Sequence, residues 1–363
     1  MAEIENISNK DSAYSPIFYE DPPIQESIAN EYLSIEVTTK CNSNCVHCFA
    51  SAGRKERSTL DIESVRSIMK EGYELGYKTI HFTGGEPLLW PHLIQILDEA
   101  FETGYPAAFI NTNGTLLSKD NCADFARYGD KLSFSLSLHG PEELHESIRG
   151  KGSYKKTTDG LKNALAHGLK INIFTSVGKS LLKKLPEFAS SVFTDFPGIE
   201  YMAMIQLIRV HQDSFDLSEE LMEPEDFIQF VQTVSMLSLY GLNVRIIEND
   251  LSNVLADLLN IKWLPPEPSI SRPGRAVIMA DGNITVYHSS RETFGLYKPG
   301  SLRETLQSDA YRKEVEINCT GCVGCPHTKL CERNRIRRPS EWFRDMHPEI
   351  PFCRRVLDEA SRE

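Results

Sequence analysis

Nine cysteines carry the first chemical information in this chain of 363 residues, because they are clustered. Cys41, Cys45 and Cys48 fall within eight residues as C-x3-C-x2-C, and Cys319, Cys322, Cys325 and Cys331 form a second group. Cys122 and Cys353 stand apart. Clustered thiols in a long chain that opens on a polar, acidic segment instead of a signal peptide read as metal ligands, not as a disulfide framework. Three thiolates on one tight loop can hold three irons of a [4Fe-4S] cube and leave the fourth iron open to a ligand. A zinc site is the alternative, and zinc normally takes a fourth protein ligand. His47, wedged between Val46 and Cys48, is poorly placed to reach the metal its neighbours hold.

Such a loop needs a scaffold, and the chain supplies one. Short β-branched runs at 33–38, 78–83, 107–112, 132–138, 171–177 and 201–207 alternate with amphipathic stretches such as 61–76, 91–104, 157–168 and 183–193. Strands separated by helices of that length predict a parallel sheet with right-handed crossovers. The expected fold class is α/β: a partial (β/α)6 TIM-like barrel over 31–250, preceded by an arm over 1–30. In a barrel of this kind the chemistry sits at the C-terminal strand ends. The cysteine loop leaves the first strand at that end, and Thr83-Gly84-Gly85-Glu86-Pro87 leaves the second. After residue 208 the pattern changes to a long helix (222–241), a short strand and a segment rich in proline and glycine (263–275). Residues 275–289 then read as a β-hairpin turning at Asp281-Gly282-Asn283. A small C-terminal domain is expected over 251–363.

Composition sets the outer bounds. Lys and Arg number 39 against 51 Asp and Glu, a net charge of −12, which argues against a nucleic-acid surface. No apolar run reaches the roughly 18 residues of a membrane span, so a cytoplasmic enzyme is expected. Cys122, within a helical segment, reads as buried core.

The first cysteine loop, Cys41-Asn42-Ser43-Asn44-Cys45-Val46-His47-Cys48, resembles the signature of the radical SAM superfamily, and the Gly-Gly-Glu-Pro turn at the end of the next strand strengthens the resemblance. The resemblance implies that S-adenosylmethionine chelates the open iron and is cleaved reductively. The resulting 5′-deoxyadenosyl radical would abstract a hydrogen atom from a substrate. It implies that Gly84 and Gly85 let the backbone approach the methionine end, and that the Glu86 region accepts from its amino group. Asn113, Ser135 and Ser137 end the third and fourth strands at positions matching cofactor contacts, and Arg149 matches an arginine that pairs with the cofactor carboxylate. Related enzymes often carry Asp where His139 stands. Thr175 and Met204, on the fifth and sixth strands, are candidate contacts to the adenosine.

The second cluster resembles the SPASM extension of radical SAM enzymes. There Cys322, Cys325, Cys331 and Cys353 match the ligands of an outer auxiliary [4Fe-4S] cluster. Complete SPASM domains hold an inner cluster as well. This chain has Tyr287, His288 and Ser289 after the hairpin and Arg335 after the third cysteine, where inner-cluster ligands are expected. Two clusters in total are therefore expected. Cys319 is left as a substitute ligand, a free thiol able to donate hydrogen, or an inert residue. The basic run 333–338 compensates cluster charge or docks an acidic reductant of the flavodoxin or ferredoxin type. The resemblance implies a peptide maturase that forms cross-links, thioethers or epimers. The alternatives are a small-molecule dehydrogenase or decarboxylase in cofactor or haem biosynthesis, and a non-enzymatic electron-transfer protein.

Overall fold

The computed structural model of the chain describes residues 32–48, 58–208, 216–265, 274–288, 293–315, 325–327, 330 and 352–362. The expected arm, Cys319, Cys322, Cys331 and the basic run 333–338 lie outside these residues.

All six predicted strands form: β1 (Tyr32–Thr38), β2 (Thr79–Gly84), β3 (Ala107–Thr112), β4 (Leu132–Ser137), β5 (Lys170–Val177) and β6 (Met202–Gln206). Each pairs in parallel with the next, and β7 (Val244–Ile246) adds to β6 in the same sense. Local chemistry explains the helix boundaries. Asp61 accepts from the Ser64 amide to start the helix Ile62–Leu75, and Gly76, left-handed at φ 100°, stops it. Gly104 ends the helix Leu93–Thr103 in the same way.

Side-chain alternation divides the sheet into two faces. Leu33, Ile35 and Val37 of β1, Ile80 and Phe82 of β2, and Phe134 and Leu136 of β4 with Leu138 just past its end join the helices in one apolar core. The alternate positions carry Ser34, Glu36, Thr38, His81, Thr83, Asn111, Ser135 and Asn172, all but Asn111 buried. A structural parallel sheet is normally apolar on both faces. Here the helices cover one face and the other is polar, which is how a barrel interior with a chemical task is furnished.

The same alternation places two of the expected contact residues. Thr175 lies on the helix-facing side of β5 with Ile171, Ile173 and Val177, and its hydroxyl donates to the Leu138 carbonyl at 2.7 Å. Met204 lies in the apolar core beside Met202. Neither side chain faces the interior; Ser176, one residue on, does face it. Thr175→Val is expected to lower stability by about 1 kcal/mol, since it strands the Leu138 carbonyl. It should leave affinity for S-adenosylmethionine unchanged, as thermal melts and binding titrations of the same variant would report.

The predicted hairpin also forms, as β8 (Ala276–Ile278) and β9 (Ile284–Thr285). It is joined directly to the barrel: β8 pairs in parallel with β1, Leu33 to Ala276 through Ile35 to Ile278. The nine-stranded sheet therefore runs β7-β6-β5-β4-β3-β2-β1-β8-β9. The Tyr77 hydroxyl donates to the Gly274 carbonyl, and Tyr311 donates to that of Arg275 at 3.0 Å, fixing the hairpin's entry. The C-terminal helix Phe352–Ala360 packs on the helix Pro224–Leu239 through Phe352 against Phe227 and an Arg355–Glu223 ion pair. No helix among the described residues is long and apolar enough to cross a membrane.

Candidate active site

Three loops from the C-terminal ends of β1, β2 and β3 are fastened to one another. The Gly85 amide donates to the Thr38 carbonyl at 2.7 Å, and the Glu86 amide donates to Lys40 at 2.8 Å. Both acceptors lie just ahead of Cys41. A side chain would not fit at either glycine: a Cβ on Gly84 would stand 2.3 Å from the Thr38 oxygen, and one on Gly85 2.2 Å from the Lys40 oxygen. On the far side of the cysteine loop, the Val46 amide donates to the carbonyl of Ile148 at 3.0 Å, tying the loop to the helix Glu142–Arg149.

Glu86 and Asn113 brace this arrangement. The fully buried Glu86 carboxylate accepts from the Thr112 hydroxyl (2.8 Å), the Asn113 amide (2.8 Å) and the Leu88 amide (3.2 Å). The Asn113 side chain donates to Asn42 at 2.7 Å and accepts from Thr115 at 2.9 Å. Sequence reasoning assigned both residues to the cofactor. The structure engages their side chains within the protein, where they hold the cysteine loop against β3. Burial pushes the Glu86 carboxyl upward, against the pull of its hydrogen bonds and of Arg149.

The three cysteines fit an iron–sulfur cluster by their chemistry. Burial raises the Cys41 thiol to about 11, and Glu86, Cys45 and Cys48 push in the same direction, against a hydrogen bond from the Ser43 amide. Converging thiols that repel one another's ionised forms are stabilised by a bound cationic metal centre. Among the described residues no three His, Cys, Asp or Glu side chains already stand in metal-ligand geometry.

Beside the loop lies a group of neutral bases. The Ser176 amide donates to His139 Nδ1 at 3.0 Å, and Arg149 Nη2 stands 2.9 Å from His139 Nε2. A neutral imidazole accepts through one ring nitrogen only, so His139 can accept from one of these two donors, and an imidazolium would accept from neither. Burial, then Arg149, His47 and His145, hold His139 well below the usual histidine range. Burial and Arg149 bring His145 to about 3. Arg149 Nε is buried with no hydrogen-bond partner, so the guanidinium has a donor to offer. His47, His139, Ser176, Leu207 and Glu220 line a cavity of about 200 Å³ next to these groups.

One pairing was not anticipated from the sequence. His288, just past β9, meets Glu36 of β1 with Nδ1 2.9 Å from Oε1. Next to it, His81 hydrogen-bonds Ser34 at 2.9 Å and stacks on Phe109. The available signal was an acidic residue at an interior-facing position of a strand, which seldom stands unpaired. Ser135 and Ser137 face the interior of β4 as expected. Cys325 and Cys353 are described, and Cys353 is exposed in the first turn of the C-terminal helix.

Comparison with known proteins follows this geometry. Residues 35–183 match the radical SAM superfamily. The antilisterial bacteriocin subtilosin biosynthesis protein AlbA of Bacillus subtilis is 29% identical over 163 residues, which are 44% of this chain and 36% of that protein. A probable GTP 3′,8-cyclase of Methanopyrus kandleri is 30% identical over 219 residues, 58% of this chain and 69% of the cyclase. The chain thus spans about a third of the first relative and over two thirds of the second. Among solved structures, anSMEcpe with bound AdoMet superposes at a TM-score of 0.70 and 18% identity, over 91% of this chain and 96% of that chain. The same protein with AdoMet and the Cp18Cys peptide gives 0.66 at 17%, over 91% and 95%. These two matches show the partial TIM-barrel fold. With the cysteine loop, the Gly-Gly-Glu turn and the barrel in the arrangement described, the chain belongs to the radical SAM superfamily.

Proposed function

We propose that the protein cleaves S-adenosylmethionine reductively and uses the product to modify a ribosomally made peptide. The observation that carries the first part is the backbone lacing of the cysteine loop to the Gly-Gly-Glu turn and to Ile148, beside an Arg149 with a donor to offer. Cys41, Cys45 and Cys48 would hold a [4Fe-4S] cluster, which when bound supplies the electron for cleavage. Arg149 offers its guanidinium to the cofactor carboxylate. Ser135 and Ser137 offer hydroxyls from the interior of β4, and Gly84 and Gly85 leave the backbone bare for close approach. The buried His139 and His145 stay neutral, so they place no second positive charge beside Arg149.

Two similarities support the peptide. One relative is named for bacteriocin biosynthesis, and one solved neighbour binds a peptide together with AdoMet. The similarity to a GTP cyclase over 58% of the chain favours a second reading, in which the substrate is a small molecule. For the C-terminal part, Cys322, Cys325, Cys331 and Cys353 are the proposed ligands of one auxiliary cluster, fed by a flavodoxin or ferredoxin.

Anaerobic protein reconstituted with iron and sulfide is expected to release 5′-deoxyadenosine on addition of dithionite and S-adenosylmethionine, and to hold about eight irons per chain. Four irons would remove the auxiliary cluster. No release from protein with an intact first cluster would defeat the radical SAM reading. Mass spectrometry of a co-expressed neighbouring short peptide decides between peptide and small molecule.

A further inference from the structure

The interior face carries a line of polar side chains of which only Ser135 has been given a role. In strand register Glu36 of β1 stands beside Thr83 of β2, and Asn111 of β3, Ser135 of β4 and Asn172 of β5 stand abreast. Thr83 and Asn111 each follow a paired residue, Phe82 and Ile110, so a single line crosses five strands. Thr83 is 3% exposed, Ser135 9% and Asn172 6%. None of these three side chains hydrogen-bonds to any described residue, although buried polar groups are normally paired. Their chemistry defines the partner they fit. A carboxamide donates and accepts at once, as a hydroxyl does. Each unit of a peptide main chain offers the same two groups.

The charge of the face points the same way. Glu36, at one end of the line, is acidic and meets His288 at 2.9 Å. His81, one row beneath, is neutral: burial first, then His288 and Arg275, holds it well below the usual histidine range. Arg275 pairs with Glu248 at 3.1 Å, and Arg245 of β7 lies over the Tyr201 ring at 4.2 Å. Among the described residues the line therefore presents no cation. A phosphate-bearing substrate needs arginine or lysine at such a place and would meet Glu36 instead.

Spacing decides between one isolated amide and a chain. Neighbouring strands lie about 4.8 Å apart, so Asn111 and Asn172, with Ser135 between them, are roughly 10 Å apart along the line. In an extended chain of polyproline-II type, units three residues apart point the same way and repeat at about 9 Å. We propose that Asn111 and Asn172 hold the main chain of an extended peptide laid across β3, β4 and β5, each carboxamide bonding one of two amide units three residues apart. The proposal rests on the peptide reading for what enters the barrel. Main-chain bonds take no notice of side chains, so the substrate class is a peptide whose N–H groups are free at these two units and whose intervening side chains vary.

The test uses the reconstituted full chain in equilibrium dialysis against acetyl-triglycine methylamide, which carries amide units at the required separation. Its fully N-methylated counterpart, built from sarcosine, is expected to bind at least about tenfold more weakly, and inorganic tripolyphosphate is expected not to displace the glycine peptide. Asn111→Ala and Asn172→Ala should each weaken binding of the glycine peptide by about fivefold. In the double variant the preference over sarcosine should vanish, whereas a purely structural loss would weaken both peptides alike. Equal binding of the two peptides by the wild type overturns the inference even where no variant folds, and it leaves the peptide reading standing. No retention of the glycine peptide at about 10 mM also overturns the inference. Displacement of the glycine peptide by tripolyphosphate overturns it and the peptide reading together. Release of 5′-deoxyadenosine by the same preparation reports separately on the radical SAM reading.

Discussion

Cys45→Ala is expected to reduce 5′-deoxyadenosine release to background and to lower the iron content by about four atoms per chain, while leaving the fold intact. The separation of these effects is the informative part. Cys45 is on a loop whose position is set by backbone hydrogen bonds, Val46 to Ile148 at 3.0 Å and Gly85 to Thr38 at 2.7 Å, and alanine keeps both. What it removes is one of the three thiols proposed to hold the cluster together. Far-ultraviolet circular dichroism and a thermal melt should therefore change little as iron and cleavage are lost. Cys122 provides the opposite case. It is 0% exposed within the apolar core, so Cys122→Ala should lower stability by about 1–2 kcal/mol and keep the cluster. Retained iron and turnover in Cys45→Ala would remove the first cysteine cluster from the chemistry.

Gly85→Ala is the second large effect, and it acts through space, not through backbone conformation. The added methyl would meet the Lys40 oxygen at 2.2 Å, the Lys40 carbonyl carbon at 2.7 Å and the Thr39 oxygen at 2.8 Å. All three are main-chain atoms, so no side chain can swing away, and the turn and the cysteine loop must separate. The Glu86–Lys40 hydrogen bond at 2.8 Å stretches with them, and the Glu86 bridge to Asn113 is pulled out of line. A loss of about 3 kcal/mol is expected, with poor cluster loading even though every cysteine remains. Iron content after reconstitution and the midpoint of a denaturant melt check this. Normal loading with an unchanged midpoint would show that the two loops are not coupled.

Much of this site was legible from the chain alone, and the reasons differ by residue. The strands were visible because apolar positions recur every second residue, and the cysteine loop because its spacing admits few other uses. The helix ends were marked by Asp61, Gly76 and Gly104. Harder to read was which face a polar strand residue occupies. Thr175 and Ser176 are both polar and adjacent, and only the pairing of β5 with its neighbours sends the first to the helices and the second to the interior. Glu86 and Asn113 stand at strand ends beside a cofactor signature, where an engaged brace and an open ligand look the same in one dimension. The Glu36–His288 pair leaves no local trace, because its partners are 252 residues apart and meet through a hairpin whose attachment to β1 no periodicity encodes.

That attachment also orders the birth of the molecule. Synthesis proceeds from the N-terminus, so β1 through β7 emerge with one side of β1 bare, and residues 33–35 wait for 276–278 to be made. An uncovered strand edge invites pairing with other chains. A contact spanning most of the chain also forms slowly. The hairpin is therefore the closing stitch of the barrel, and a chain cut between 250 and 275 would be left as an adhesive intermediate instead of a smaller working enzyme.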